Sequence, residues 1–158
     1  MLRWLWLSVI VVVLDQLSKQ WVEAHFYLYE SLPINGFLNL TLVYNKGAAF
    51  SFLADAGGWQ RWFFVVLAVA ISLYLISWLH KLQSSQIVLP LAISMIIGGA
   101  IGNVIDRFIY GHVIDFVDIY VQQWHWPAFN VADSAITLGV ILFLWESFFG
   151  QNDDLNRL

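Results

Sequence analysis

The sequence predicts an all-α membrane protein with four transmembrane helices and a small interfacial β element between the first and second helices. Hydrophobic residues make up 60% of the chain and charged residues only 11%, which is far from the soluble average. Four stretches approach the roughly 20 apolar residues that a helix needs to cross a bilayer. We therefore expect residues 1–158 to form a single integral membrane domain.

The first span is expected near residues 4–22. A charged tip followed by an apolar stretch is also typical of a signal peptide. However, Asp15 and Lys19 interrupt the apolar stretch and further spans follow, so we predict a retained helix.

The connection over about residues 23–59 contains the predicted β element. Leucines at alternate positions of FLNLTLVY (37–44) have the period of a strand. Asn45 to Gly47 has the composition of a turn, and residues 48–53 are expected to form a returning strand. An irregular interfacial loop is the alternative.

The second and third spans are expected near residues 60–79 and 87–105, and the short polar segment between them predicts an antiparallel helical hairpin. Gly98 and Gly102 have the G-x-x-x-G spacing that lets another helix approach closely. The fourth span is expected near residues 131–149.

Four spans place both termini on one side of the membrane, and the connections 23–59 and 106–130 on the other. Lysine and arginine residues lie near both sides, so charge counting does not fix the orientation. The chain has no cysteine, which excludes disulfides and a cysteine nucleophile. Its net charge of −4 argues against nucleic-acid binding.

Polar residues cluster where two spans meet the same side of the membrane. Asn103 lies three residues before Asp106, and Asn130 three before Asp133, so each pair shares a helical face if the helix extends that far. Asp115 lies between the two pairs in an apolar connection. Acids at the edge of lipid are costly, so their convergence predicts a functional site.

The neighbours of these acids separate their roles. Asp106 is followed by Arg107, and a paired carboxylate favours a structural anchor. Asp115 and Asp133 have no adjacent cation, and if their carboxyls lie close together one pKa is raised and the pair shares a proton. Such a pair holds water between a base and an acid, as in aspartic proteases.

Other catalytic arrangements have weaker support. Ser51 and Ser134 could use His112 or His125, but no G-x-S-x-G or S-x-x-K pattern supports a serine nucleophile. The histidines could bind a metal together with aspartates, yet H-E-x-x-H is absent. We expect neither a metal nor another cofactor.

Five sequence blocks together resemble the lipoprotein signal peptidases, or signal peptidase II, a family of bacterial intramembrane aspartyl proteases. They follow in order across nearly the whole chain: DQLSK (15–19), NKGAAF (45–50), GNVIDR (102–107), VIDF (113–116) and FNVADS (129–134). One departure is the tail QNDDLNRL, which lacks the basic character expected of a cytoplasmic end.

The resemblance implies that Asp115 and Asp133 are the catalytic pair. It implies a structural or substrate-facing role for Asp15 and Lys19. The supporting residues that it implies are Asn45, Asn103, Asp106, Arg107 and Asn130.

The resemblance also implies an activity and a location. The protein would be an aspartyl endopeptidase that removes signal peptides from diacylglyceryl-modified prolipoproteins, cutting before the lipidated cysteine. Membrane lipid would be a further partner, and the antibiotic globomycin an inhibitor. The family lies in the bacterial inner membrane, with cytoplasmic termini and an active site toward the periplasm. A small four-helix proton-coupled transporter is the main alternative, and a noncatalytic scaffold is the third.

Overall fold

The computed structural model describes residues 1–47, 57–83 and 85–150. Four helices in these ranges are long and apolar enough to cross a membrane, as predicted. One turn of 3-10 helix, Leu2–Trp4, precedes the first of them. The helices are α1 (Leu5–His25), α2 (Trp59–Lys81), α3 (Val88–Ile109) and α4 (Val131–Phe149).

Helix α3 is the central helix of the bundle, and more of it is buried than of any other span described. Its glycines mark the contacts. A Cβ added at Gly102 would lie 2.6 Å from the Asp15 carboxylate on α1, and one added at Gly99 would overlap the Ala132 carbonyl oxygen on α4. Gly98 meets α1 in the same way. The predicted close approach of helices at these glycines is confirmed, and it extends to two neighbours.

Helices α2 and α3 form the predicted hairpin, with a short connection over residues 82–87. Leu75 and Leu79 of α2 pack against Ile93 and Ile97 of α3. The rest of α2 is largely exposed and apolar, as expected of a lipid-facing surface. Helix α3 continues to Ile109, beyond its predicted end near residue 105, because the polar residues that follow are paired inside the bundle.

A four-stranded antiparallel sheet lies beside the helices. Its strands, in spatial as well as sequence order, are β1 (Ser31–Asn35), β2 (Leu38–Asn45), β3 (Val113–Val121) and β4 (Trp124–His125).

The sheet confirms the predicted β element between the first two helices and enlarges it. Strand β2 agrees with the predicted strand over 37–44, and it pairs with β1 on one side and β3 on the other. Strands β3 and β4 come from the connection over 106–130, where no strand was predicted. The returning strand predicted over 48–53 lies outside the described residues.

Strand β3 is buried on both faces along its first half, which explains why its sequence does not alternate between apolar and polar residues. On one face, Ile114 and Phe116 pack against Val22 of α1 and Leu42 of β2. Successive side chains of a strand point to opposite faces, so Asp115 faces away from this cluster. The strand therefore places the Asp115 carboxyl next to the start of α4.

Candidate active site

Asp115 is a nearly completely buried carboxyl on β3, with 1% of its surface exposed. Each of its oxygens accepts a hydrogen bond from a side-chain amide. The Asn130 amide nitrogen lies 2.6 Å from Oδ1, and the Asn45 amide nitrogen lies 3.0 Å from Oδ2. Strand β2 brings Asn45 to this point because it pairs with β3 alongside Asp115.

Asp133 is held by the start of α4. Asn130 is the N-cap of this helix, and its Oδ1 accepts a hydrogen bond from the Asp133 backbone N–H at 2.9 Å. In return, the Asn130 backbone N–H donates to Asp133 Oδ2 at 3.3 Å, which completes a capping box. The Asn103 amide nitrogen of α3 donates to the other oxygen of Asp133 at 2.7 Å. The F-N-x-A-D block thus begins the helix and fixes its acid.

The Asn130 side chain connects the two acids. Its amide nitrogen donates to the Asp115 carboxyl, and its Oδ1 accepts the backbone N–H of Asp133. Burial, and after it the charge of Asp133, raise the pKa of the Asp115 carboxyl from 3.8 to about 7. Hydrogen bonds from Asn45 and Asn130 partly oppose this rise. Asp115 therefore keeps a proton close to neutral pH, as required of one member of a proton-sharing pair.

A second group of buried charges lies next to this pair. Lys19 Nζ is 2.7 Å from Asp15 Oδ2 and 2.8 Å from Asp106 Oδ2, and it also donates to Asn103 Oδ1 at 3.1 Å. Lys19, Asp15 and Asp106 are each at most 1% exposed. A buried cation with two carboxylates and an amide oxygen is well compensated in a low-dielectric interior.

This ionic group also holds the backbone beside each acid. Asp15 Oδ1 accepts the backbone N–H of Ala132, which precedes Asp133, at 2.9 Å. Asp106 Oδ2 accepts the backbone N–H of Ile114, which precedes Asp115, at 3.1 Å. Of the two roles implied for Asp15 and Lys19, their burial favours the structural one.

The predicted anchor at the end of α3 has a different partner. Asp106 forms its ion pair with Lys19 of α1, and not with its sequence neighbour Arg107. Successive residues on a helix point in different directions, so adjacency did not bring the two charges together. Arg107 donates to the Gly47 carbonyl oxygen at 2.9 Å and lies over the Phe64 ring at 5.1 Å. It therefore holds Gly47, two residues after Asn45.

A cavity of about 790 Å³ opens beside the acids, within the ~300–1,000 Å³ typical of ligand pockets. Asp133 belongs to its lining, whereas Asp115 does not. Its polar lining consists of Asn45, Asn103, Arg107, Asp133, Ser134 and Thr137. Its apolar lining includes Ile119, Trp124, Trp126, Phe129 and Leu138.

The residues of the rival catalytic arrangements have other contacts. The Ser134 hydroxyl donates to the Asn130 carbonyl oxygen at 2.9 Å, as a helix residue often does. Ser51 lies outside the described residues. His125 pairs with Asp118 on the sheet, and not with a serine. Within the described ranges, no three His, Asp or Glu side chains are grouped to hold a metal ion.

Sequence reasoning missed two parts of the site. Gln16 donates to Asp106 Oδ1 at 2.8 Å, so it belongs to the buried ionic group. Its place directly after Asp15, on the polar side of an otherwise apolar helix, was the available signal. The aromatic wall formed by Trp124 and Trp126 was also missed, since interfacial tryptophans have the same composition.

Relatives of the chain align with it over almost its full length. The sequence matches the protein family described as Signal peptidase (SPase) II over residues 7–149. It is 51% identical to a lipoprotein signal peptidase of Shewanella oneidensis, covering 99% of this chain and 92% of the relative. It is 54% identical to a lipoprotein signal peptidase of Yersinia pseudotuberculosis, covering 93% of this chain and 87% of the relative.

Solved structures share its fold. One, described as a bacterial membrane enzyme at 2.3 Å resolution, has a TM-score of 0.85 and 32% identity, covering 96% of this chain and 90% of that one. Another, described in the same words at 1.9 Å resolution, has a TM-score of 0.78 and 33% identity, covering 90% of each chain.

Proposed function

The chain belongs to the signal peptidase II family, and we propose that Asp115 and Asp133 are the acids with which it cleaves its substrate. It is a multi-pass membrane protease that removes the signal peptides of lipoproteins. Neither its fold nor its relatives favour the transporter alternative.

The observation that supports this assignment is the difference between the partners of two pairs of acids, Asp15 with Asp106 and Asp115 with Asp133. Asp15 and Asp106 each form an ion pair with the ammonium group of Lys19. Asp115 and Asp133 instead accept hydrogen bonds from neutral amides. Proton exchange with a substrate is easiest for carboxyls without a bound cation, so the second pair suits acid-base chemistry.

In the proposed reaction the pair carries one proton, held by Asp115, whose pKa is raised to about 7. Asp133 takes a proton from water as the water oxygen attacks the scissile carbonyl carbon, and Asp115 donates its proton to the carbonyl oxygen. The tetrahedral intermediate collapses as Asp133 gives its proton to the leaving nitrogen. Asp115 then regains a proton from a hydroxyl of the intermediate, which restores the starting state.

The proposed substrate is a prolipoprotein that carries diacylglycerol on the cysteine after the cleavage site. Asp133 lies in the first turn of α4, and Asp115 lies just beyond the end of α3, so both acids belong to one end of the bundle. Acyl chains in the bilayer would hold a scissile peptide at that depth. The proposed orientation has cytoplasmic termini and an active site toward the periplasmic side of the bacterial inner membrane, and globomycin is the proposed inhibitor.

The test uses purified protein in lipid vesicles with two peptides of one sequence, one with a diacylglyceryl group on its cysteine and one without. We expect cleavage before the lipidated cysteine, without added metal, and little cleavage of the unmodified peptide. Chelators and serine-directed reagents should have no effect, whereas globomycin should stop the reaction. Equal cleavage of the two peptides would refute lipid-directed recognition, and loss of cleavage with a chelator would refute the dyad.

A further inference from the structure

The β3–β4 hairpin is a weak element on its own. Strand β4 has two residues, and they pair with only Tyr120 and Val121 of β3. The connecting turn places Gln122 in the left-handed region, at φ 57°, which is unfavourable for a residue with a side chain. One further backbone bond follows, from the Trp126 N–H to the Ile119 carbonyl oxygen at 2.8 Å. So short a ladder is only marginally stable, so the position of this hairpin also depends on side-chain contacts.

A buried carboxylate supplies those contacts. His125 Nδ1 of β4 lies 2.8 Å from Asp118 Oδ1 and 3.0 Å from Oδ2, on β3. The Asn39 amide nitrogen of β2 donates to Asp118 Oδ2 at 2.9 Å. A carboxylate only accepts hydrogen bonds, so Nδ1 carries the hydrogen. Asp118 thus joins three strands, and the His125 ring also stacks on Tyr120 at 5.3 Å.

The two faces of the hairpin make different contacts. Tyr120 pairs with His125 across the ladder, so Asp118, Tyr120 and His125 share one face. Trp124 and Trp126 then lie on the opposite face, and both line the cavity beside the acids. Their rings contact each other edge to face at 5.9 Å. The contact between Asp118 and His125 therefore fixes the hairpin on the face opposite the two tryptophans.

Apolar residues of α4 line the same cavity as the tryptophans. One of them is Leu138, five residues after Asp133, which is 53% exposed. The lining of the cavity therefore combines the polar Asp133 with the apolar Trp126 and Leu138. Ligand pockets commonly combine a few orienting polar groups with an apolar body in this way.

We propose that Trp124 and Trp126 are specificity-determining residues that contact the acyl chains of the substrate, and that Asp118 and His125 are positioning residues that hold this wall. The inference rests on the proposed lipid-modified substrate. An acyl chain attached next to the scissile bond starts in the cavity beside Asp133. The tryptophans and Leu138 are the large apolar side chains of the same cavity that such a chain can contact. His125 does not line the cavity and acts only through the position of the tryptophans. We therefore expect it to affect substrate binding and not the chemical step.

The experiment compares His125→Phe with His125→Asn. Phenylalanine keeps a ring to stack on Tyr120 but loses the donor to Asp118, whereas the amide nitrogen of asparagine can replace Nδ1. Trp126→Leu removes the wall directly and serves if His125→Phe does not fold. The matched control is His25→Phe, since His25 also stacks on an aromatic ring, that of Trp21, but lies outside the cavity lining.

Each variant is assayed in vesicles on substrates that differ only in acyl-chain length, all long enough to stay in the bilayer. We expect His125→Phe and Trp126→Leu to raise KM by about tenfold on the longest chains, with kcat within about twofold, because apolar contacts in a pocket discriminate on this scale. The effect should shrink as the chains shorten. His125→Asn should recover most of the wild-type KM, and His25→Phe should match wild type.

Unchanged KM in both His125→Phe and Trp126→Leu would overturn the inference, as would a fall in kcat alone. A second substrate series varies the apolar core of the signal peptide at constant chain length. A KM defect that follows this series and not acyl-chain length would assign the wall to the peptide and reject the proposal. Failure of the proposed function is seen separately, as absent or lipid-independent cleavage by the wild-type protein.

Discussion

Lys19 and Asp106 form a buried ion pair, 2.8 Å between Nζ and Oδ2, that joins α1 to α3 directly beside the two proposed catalytic acids. Asp106 also accepts the backbone N–H that precedes Asp115, and Asp15, the other partner of Lys19, accepts the one that precedes Asp133. The same charges therefore join the two helices and hold the backbone next to both proposed catalytic acids.

Replacing Lys19 with methionine tests this arrangement. The change keeps the length of the side chain but leaves Asp15 and Asp106 buried without their cation. Stranding buried charges typically costs about 3–5 kcal/mol, so the thermal unfolding midpoint in detergent should fall strongly. Lys81→Met, at the exposed end of α2, is the control and should change little. A Lys19→Met protein as stable as wild type would show that the pair is not a structural element.

Gly102→Ala tests the close contact of α1 with α3. The new methyl carbon would lie 2.6 Å from the Asp15 carboxylate, which Lys19 and a backbone amide hold in place. We expect a loss of about 1–3 kcal/mol in the free energy of unfolding, in spite of the better helix propensity of alanine. Gly36→Ala has open space around its methyl group and should be nearly neutral. Equal midpoints for both variants would contradict the packing described.

Asn130→Ser separates the two tasks of the N-cap residue. Serine is also a good N-cap, so the start of α4 should lose only a few tenths of a kcal/mol. Its side chain is too short to keep the 2.6 Å contact with Asp115 that the amide makes. The buried amide also donates to Asn103 Oδ1 and the Ile114 carbonyl oxygen, so we expect a loss of about 1–3 kcal/mol in stability. Cleavage should fall by at least about tenfold, because the acid loses its orienting donor. Asn130→Ala should lose about 1 kcal/mol more, because the cap is also removed, and full activity in Asn130→Ser would remove Asn130 from the site.

The raised pKa of Asp115 predicts a pH dependence of stability. Its folded pKa of about 7 lies above the ordinary value of 3.8, so the folded state binds the proton more tightly. The resulting stabilisation is fully present below about pH 4 and is lost as the pH rises to about 7. Unfolding midpoints of wild type and Asp115→Asn should therefore diverge across this range, with the flatter profile in the variant. Parallel profiles would show that Asp115 is not held protonated.

The spans and the start of α4 could be predicted because their signals are local. Apolar length predicts a transmembrane helix, and the predicted start of the fourth span near residue 131 placed Asn130 and Asp133 at its end. The capping box that holds Asp133 was not predicted. The distance of Asp115 from any cation in the sequence likewise separated it from Asp106 before the fold was known.

The remaining features depend on contacts between distant parts of the chain. Lys19 reaches Asp106 because Gly102 lets α1 and α3 approach closely. Adjacency in the sequence therefore wrongly favoured Arg107 as the partner of Asp106. Strand β3 is covered on both faces and lacks the alternation that identifies a surface strand. Trp126 lines the cavity because β4 pairs with β3, and this pairing was not predicted.

Replacing each proposed catalytic acid with asparagine tests the central claim most directly. The measurement is cleavage of a diacylglyceryl-modified peptide by purified Asp115→Asn and Asp133→Asn proteins in vesicles, with folding checked by thermal unfolding. Glu146→Gln makes the same chemical change at the far end of α4 and is the control. We predict that each aspartate variant folds but loses several orders of magnitude in rate, since positioned acid-base groups contribute about 10²–10⁴ each and act together, while the control stays active. Turnover near the wild-type rate in either folded variant would contradict the assignment of the dyad.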